Sequence, residues 1–348
     1  MAQNLILHIG HPKTGTSTLQ QTMRASHAVL ADAGVLHPNT GPNVNNKALI
    51  PHLVGGEPVG RHTDRRLGRT SKNAKANSAK IWANVLAQVK KQDPETVVIS
   101  SEGLSRPRGR MEMQNMKDCL RELAPDCTVV AYLREPASFN LSRAQQMIKS
   151  QPNYFLSAKN YYRAMLEPYV LSGIGPMNVR IFDRNFLAQG DLITDFFEQN
   201  LPGFDIAGLS RISDVNTSFS AEAMALIQEI HRNERSFPRP YPRLLIAKVD
   251  HQLKGFSRPV MHEHVRKAIA TRCSDLTWLN NELDLKFPNI DRSSLPLAEA
   301  NDICNSLDRV EDLCMVDTDR KAELWNASLI AAGRVSRIVY RVYNVLRR

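Results

Sequence analysis

The stretch LILHIGHPKTGTSTLQ, residues 5–20, holds an apolar run, two glycines and a cluster of hydroxyl residues in that order. The apolar run at 5–9 is short enough for a buried central strand, and Gly10 and Gly15 permit a tight turn after it. The hydroxyl side chains within 14–18 suit the start of a helix. This order predicts an anion-binding site, because backbone N–H groups and the helix dipole converge at one point.

The loop differs from a Walker A loop in the position of its cation. The two glycines have Walker A spacing, but such a loop would continue with Lys at 16 and Ser or Thr at 17. Thr16 and Ser17 stand there, and the cation is Lys13, inside the loop. The loop is therefore suited to a phosphate-like group held differently from that of an ATPase. The alternative is an ordinary strand–turn–helix with a solvated Lys13.

Strands and helices alternate through the first two hundred residues. Further strands are predicted at 96–100, 128–133 and 179–183, and helices at 78–91, 110–123, 154–171 and 185–199. This alternation indicates an α/β fold with a doubly wound parallel sheet. The segments 244–281 and 296–346 are predicted to be mostly helical. We expect an α/β domain over 1–290 and a helical extension over 291–348 that packs on it.

A second polar signal follows the strand at 128–133, in YLREPASFNLSRAQQ, residues 132–146. Arg134 stands at the strand end and Ser142 lies on the next helix, so together they can grip one phosphate. Ligands of doubly wound sheets bind outside the carboxyl ends of the strands. Residues 10–18, Glu102 and Arg134 are therefore expected to line one cleft. Alternatively, Arg134 caps a neighbouring loop and Ser142 faces solvent.

The P-K-T-G-T-S run at 12–17 resembles the 5′-phosphosulfate loop of the sulfotransferase family, and the Arg134–Ser142 arrangement resembles its 3′-phosphate site. The resemblance covers about residues 4–150. It implies a P-loop NTPase-like sulfotransferase fold and 3′-phosphoadenosine 5′-phosphosulfate (PAPS) as sulfuryl donor, with a hydroxyl acceptor and no metal. A C-terminal G-x-x-G-x-x-K element is not visible, which favours a bacterial or glycan-type branch over the cytosolic hormone type. The implied donor-binding residues are Pro12, Lys13, Thr14, Gly15, Thr16, Ser17, Thr18, Arg134 and Ser142.

Sulfuryl transfer needs a cation at the leaving oxygen and a base for the acceptor hydroxyl. Lys13 is the candidate cation. Glu102 is the candidate base, with His11 as the second choice; the alternative for Glu102 is a salt bridge to Lys13 or Arg134, or a helix-capping contact. His8 alternates with core residues of the first strand and is expected to be a core histidine.

Two other functions fit parts of the pattern. A kinase or NTPase would need Lys at 16 and an Asp after a strand to hold Mg²⁺, whereas the strands here end in SSE and REP. A non-catalytic nucleotide-binding module would keep the fold without the chemistry. The net charge of +10 favours an anionic ligand. We expect a small-molecule or glycan acceptor and no nucleic acid.

Composition also bears on cellular context. The five cysteines are scattered without a disulfide or metal framework, which indicates a reducing, cytoplasmic compartment. No signal peptide is evident before the first strand, and no stretch has the ~20 apolar residues of a transmembrane helix.

Two segments stand apart from the α/β pattern. Residues 37–77 form a long region with a basic run from Arg61 to Lys75, which we interpret as a lid or substrate-binding insertion or, equally, a solvated loop. The last sixteen residues, 333–348, form a basic amphipathic pattern that can lie on an anionic membrane. Such a helix more often packs on its own domain or on a partner.

Overall fold

The computed structural model describes residues 1–55, 71–106, 108–157, 162–212, 218–238, 240, 242–288, 290 and 295–346, with side chains for all of these except 71–73 and 334–346. The chain divides into two compact units. The first comprises Met1–Glu135, Tyr161–Val215 and Asp275–Phe287, and the second comprises Pro136–Asn160, Asn216–Ser274 and Pro288–Arg348. Because the units interleave along the chain, they match neither 1–290 nor 291–348, and that domain division stays a prediction.

The first unit contains a five-stranded parallel sheet, which confirms the α/β class. The strands are β1 (Asn4–His8), β2 (Val35–Leu36), β3 (Thr96–Ser100), β4 (Asp126–Leu133) and β5 (Met177–Ile181). Their order is β2-β3-β1-β4-β5, and every pairing is parallel. The chain moves to one side of β1 and then to the other, so the end of β1 is the topological switch point at which such sheets bind ligands.

Helices cover the sheet in the first unit. They are α1 (Thr16–Ala25), α2 (His27–Asp32), α3 (Ile50–Leu53), α4 (Ser71–Gln92), α5 (Arg110–Arg121), α7 (Tyr162–Ser172), α8 (Leu192–Asn200) and α12 (Asp275–Leu283). On one face, alternate strand residues such as Ile6, Val98 and Val130 pack with Leu19 of α1 and Phe196 of α8. Side chains that point to the other face are also buried, as expected for a parallel sheet covered by helices.

The second unit is helical, which agrees with the prediction for 244–281 and 296–346. Its helices are α6 (Pro136–Ile148), α9 (Ala221–His231), α10 (Pro242–Gln252), α11 (Glu263–Arg272), α13 (Leu297–Ser306), α14 (Val310–Leu313) and α15 (Thr318–Leu346). Inside this unit the Arg320 guanidinium pairs with Glu222 and Asp250, 2.9 Å from each. These ion pairs join α9, α10 and α15 across a buried, hydrogen-bonded cluster.

Several predicted boundaries were wrong for local reasons. Helix α4 begins at Ser71, because its first turns are polar and show no apolar stripe before residue 78. Helix α8 begins at Leu192 rather than 185, because Gln189 adopts a left-handed φ of 53° and Asp191 caps the helix by accepting from Thr194 N. Residues 151–157 are not helical, and the two-residue strand β2 was not predicted.

The two segments outside the α/β pattern are only partly described. Residues 37–55 hold a 3₁₀ turn, Asn46–Leu49, followed by α3. The predicted basic run lies largely outside the described residues, although Lys75 donates to Gly55 O at 2.9 Å. Helix α15 reaches Leu346, and the side chains of the predicted basic face lie outside the described set. Within the described chain, no helix is both long and apolar enough to cross a membrane.

Candidate functional site

The loop after β1 turns through left-handed backbone positions. Gly10 has a φ of 65°, Lys13 of 71° and Gly15 of 74°. A positive φ is uncommon and strained for a residue with a β-carbon, and such strain is concentrated at functional sites. Left-handed positions in a loop turn successive N–H groups toward one concave side, which is the geometry of an anion-binding nest.

Helix α1 extends this nest. Its N-cap is Gly15, which has no side chain to cap the helix, and the first acceptor is the Gly15 carbonyl, bonded by Thr18 N at 2.9 Å. The first-turn N–H groups and the positive end of the helix dipole therefore face the loop. Thr16 is buried at the start of α1, whereas Ser17 is exposed.

The loop packs tightly against its surroundings. A β-carbon at Gly10 would stand 3.2 Å from Thr16 Oγ1 and 3.4 Å from Glu102 Cγ. A β-carbon at Gly15 would stand 2.6 Å from a methyl of Leu192. Glycine is therefore needed at both positions, because a side chain would clash there and because φ is positive. Gly10 also allows the loop to pack directly against Glu102.

Internal contacts fix the middle of the loop. The Thr14 hydroxyl donates to His11 O at 2.6 Å and is fully buried. The His11 ring is itself buried, with its centroid 5.5 Å from that of Tyr162. His11 thus lies inside the loop as predicted, packed on an aromatic ring, while Pro12 and Lys13 are half-buried beside it.

Arg134 connects the end of β4 to this loop. Its Nη1 donates to Lys13 O at 3.1 Å, and its guanidinium lies 5.9 Å from the centre of the Phe182 ring. The Tyr162 hydroxyl donates to Arg134 O at 2.5 Å. The structure therefore brings Arg134 to the loop, as expected from the shared carboxyl edge of the sheet.

Glu102 follows β3 and begins a 3₁₀ turn, Glu102–Ser105, whose N-cap is Ser101. Burial raises the pKa of Glu102, while the Lys13 charge and the Thr16 hydroxyl oppose that rise. Burial likewise lowers the pKa of Lys13; Glu102 opposes that shift, and the charge of Arg134 adds to it. Lys13 thus lies within electrostatic reach of both Glu102 and Arg134.

Ser142 was predicted to complete a clamp with Arg134. It is half-buried on α6, in the second unit, whereas Arg134 belongs to the first. The pairing of these two residues therefore stays a prediction.

Two features of the site were not predicted from the sequence. Tyr162, which falls in the helix predicted over 154–171, contacts both His11 and Arg134 O. Behind the loop, Ser100 accepts from Gln20 Nε2 at 3.0 Å, and its N–H donates to Asn46 Oδ1 at 2.8 Å. The spacing of residues 20, 46 and 100 along the chain gives no signal of this network.

His8 is a core histidine, as predicted. Its Nδ1 lies 2.8 Å from Ser100 Oγ, and burial lowers its pKa to about 3, so the ring is neutral. A neutral ring beneath the loop leaves Lys13 and Arg134 as the cations of the described site. Within the described residues, no three His, Cys, Asp or Glu side chains are grouped so that they could hold a metal ion.

Comparison with known proteins adds no family assignment. No protein-family model matches the chain, and no curated protein is significantly similar to it. The function of the site is therefore inferred from its own residues: backbone N–H groups and two cations that can hold an anion, and a carboxylate with a raised pKa that can accept a proton.

The strained backbone of Lys13 gives a prediction for stability. Lys13→Gly and Lys13→Ala both remove the ammonium group, but only glycine adopts a φ of 71° without strain. We expect the Gly variant to be more stable than the Ala variant by about 1 kcal/mol in urea unfolding. Equal stabilities would show that Lys13 is not left-handed in solution.

Proposed function

We propose that the chain is a PAPS-dependent sulfotransferase with a P-loop NTPase-like sulfotransferase fold. The observation that carries the proposal is the convergence of Lys13, Glu102 and Arg134 on one glycine-containing loop at the end of the central strand. The cation sits inside the loop, and position 16 carries a buried threonine where an ATPase loop has its lysine. Two cations beside a candidate base suit transfer of an anionic group between oxygens.

Donor binding is assigned to the loop and the start of α1. PAPS supplies an activated sulfuryl group whose sulfur–oxygen bond to the phosphate is labile. Backbone N–H groups from Thr14 to Ser17 hold the 5′-phosphosulfate, and the hydroxyls of Thr16, Ser17 and Thr18 are candidate donors to it. The Lys13 ammonium stabilises the negative charge that develops on the bridging oxygen as this bond breaks.

The acceptor hydroxyl is assigned to the side of the loop occupied by Glu102. The carboxylate accepts the hydroxyl proton while the acceptor oxygen forms its bond to sulfur, and adenosine 3′,5′-bisphosphate departs. A raised pKa makes Glu102 a stronger base than an exposed carboxylate. His11 is the second candidate base, and a carbohydrate hydroxyl is the proposed acceptor class.

The 3′-phosphate of the donor is assigned to Arg134, and the pairing of Ser142 with it stays a prediction from the sequence. Arg134 donates Nη1–H to Lys13 O, and a planar guanidinium is suited to bidentate contact with phosphate oxygens. The contact to Lys13 O gives Arg134 a second role, because it also holds the loop in place.

Transfer of radiolabelled sulfate from PAPS to carbohydrate acceptors tests the proposal. We expect acceptor-dependent transfer by the full chain and a loss on the order of 10²–10³-fold in Lys13→Ala, because one charge-stabilising donor is removed. Lys90→Ala, which removes an exposed lysine at the end of α4, is the matched control. Mg²⁺-dependent ATP turnover without sulfuryl transfer would instead indicate an NTPase, and nucleotide binding without turnover a binding module.

Selectivity for the 3′-phosphate tests the role of Arg134. We expect calorimetry to show that the intact chain binds adenosine 3′,5′-bisphosphate more tightly than 5′-AMP. Arg134→Ala should weaken binding of the bisphosphate more than binding of the monophosphate, because the contact to the 3′-phosphate is then lost. If the affinities for both nucleotides fall equally, Arg134 acts only by holding the loop through its contact with Lys13 O. Ser142→Ala tests the predicted partner with the same two ligands.

The two roles open to Glu102 can be separated with Glu102→Gln. If Glu102 is the base, the rate of transfer falls on the order of 10²–10⁴-fold while bisphosphate affinity at neutral pH is kept. Glu102 raises the pKa of Lys13, so without it Lys13 loses its charge at a lower pH. As the pH is raised, the variant should therefore lose bisphosphate binding earlier than the unmodified chain. Glu299→Gln, at an exposed position, is the control. An unchanged rate would remove Glu102 from the chemistry and leave only its pairing with Lys13.

A further inference from the structure

The turn that carries Glu102 is fixed through its backbone. The Glu102 carbonyl accepts from the Ser105 hydroxyl at 2.7 Å, inside the turn itself. The next two carbonyls, those of Gly103 and Leu104, accept from side chains that lie outside the turn. Because a base has to be held close to its working position, the donors to these carbonyls bear on the direction in which the Glu102 carboxylate points.

Arg108 supplies the donor to Gly103 O. Its Nη2 lies 2.8 Å from that oxygen, and only 8% of its side chain is exposed. The residue stands between the turn and α5, two positions before the helix begins at Arg110. Arg108 therefore reaches back to the turn instead of pointing into solvent, where most arginines are found.

The surroundings of Arg108 compensate its burial only in part. Its Nη1 lies 3.6 Å from Glu112 Oε1, which is beyond hydrogen-bond distance, and its Nε has no hydrogen-bond partner within the described residues. Burial accordingly lowers the pKa of Arg108. A buried, incompletely paired charge is a poor source of stability, so the contact with Gly103 O is what distinguishes this position.

Tyr169 of α7 holds the carbonyl that follows. Its hydroxyl donates to Leu104 O at 2.8 Å, and the residue is almost fully buried. Burial raises the pKa of Tyr169, so the hydroxyl keeps its proton and remains a donor; the Arg108 charge opposes that rise, which places the two side chains near each other. On the other side of the turn, a β-carbon at Gly103 would collide with Ile50 of α3.

We propose that Arg108 is a positioning residue for Glu102. By holding Gly103 O it fixes the turn, and the turn keeps the carboxylate packed against Gly10 and within electrostatic reach of Lys13. The proposal rests on the proposed function for the role of Glu102 as base. The position of the carboxylate, however, can be measured without any reaction.

The titration of Glu102 tests this position directly. In the full chain labelled with ¹³C-glutamate, the Glu102 carboxyl signal is the one that is lost in Glu102→Gln. Burial is the main cause of the raised pKa of Glu102, so release of the turn in Arg108→Met should lower that pKa toward its ordinary range. Lys13 and Thr16, which face Glu102, are intact in this variant.

Two further variants control the titration. Arg108→Lys keeps a charge and a donor, so it should restore part of the raised pKa of Glu102. Arg121→Met removes an exposed arginine at the end of α5 and should leave the Glu102 titration unchanged.

Kinetics separate positioning from a general loss of structure. In Arg108→Met, kcat for sulfuryl transfer from PAPS should fall on the order of 10–10²-fold, because a misplaced base acts poorly. Affinity for adenosine 3′,5′-bisphosphate should be kept, because Lys13 and Arg134 are untouched. Tyr169→Phe, which removes only a neutral donor, should lower kcat by less, because hydrogen bonds from charged donors are stronger.

The outcomes for the base and for the reaction are distinguishable. An unchanged Glu102 titration in Arg108→Met would overturn the positioning role whatever the rate of transfer, and so would equal losses of kcat and of bisphosphate affinity. If the intact chain transfers no sulfuryl group, the proposed function fails, yet a lowered pKa of Glu102 in Arg108→Met would still establish how this carboxylate is held. If Arg108→Met does not fold, Tyr169→Phe provides the same titration test.

Discussion

The hydrogen bond from Arg134 to Lys13 O is the contact on which the candidate site depends. It joins the loop after the central strand to the end of the neighbouring strand, so it holds in place a turn with three left-handed positions. A strained lysine backbone persists only where the surrounding structure holds it. Tyr162 reinforces the same junction, because it donates to Arg134 O while its ring packs on His11.

This junction also sets the electrostatics of the site. It places two cations and one carboxylate in a partly buried cluster, where burial disfavours the charged forms of Lys13 and Glu102 and each opposes the shift of the other. Opposed pKa shifts of this kind suit a site that binds an anionic group and accepts a proton, because Glu102 and Lys13 each influence the pKa of the other. The neutral His8 beneath adds no charge to this balance.

The two edges of the sheet have opposite character for a reason rooted in its topology. All strands are parallel, so every carboxyl end lies at one edge and every amino end at the other. The carboxyl edge gathers the loop, Lys13 and Arg134. At the amino edge lie Glu95, Asp126 and the carboxyl end of α8, and the described residues that line a cleft there include no Lys, Arg or His.

The sequence by itself determined the α/β class, the β1 loop and the candidates Lys13, Glu102 and Arg134, because apolar periodicity and glycine placement are local signals. It also marked His8 as a core residue. Tertiary structure alone decided the left-handed Lys13, the contacts of Tyr162, the Asn46–Ser100 network and the amino-edge cleft. These depend on which strands become neighbours, and pairings between residues separated by dozens of positions leave no periodic trace in the chain. The early start of α4 and the late start of α8 were missed for the opposite reason, because both depend on local backbone geometry that apolar spacing does not report. The first turn of α4 is polar, and a left-handed residue precedes the N-cap of α8.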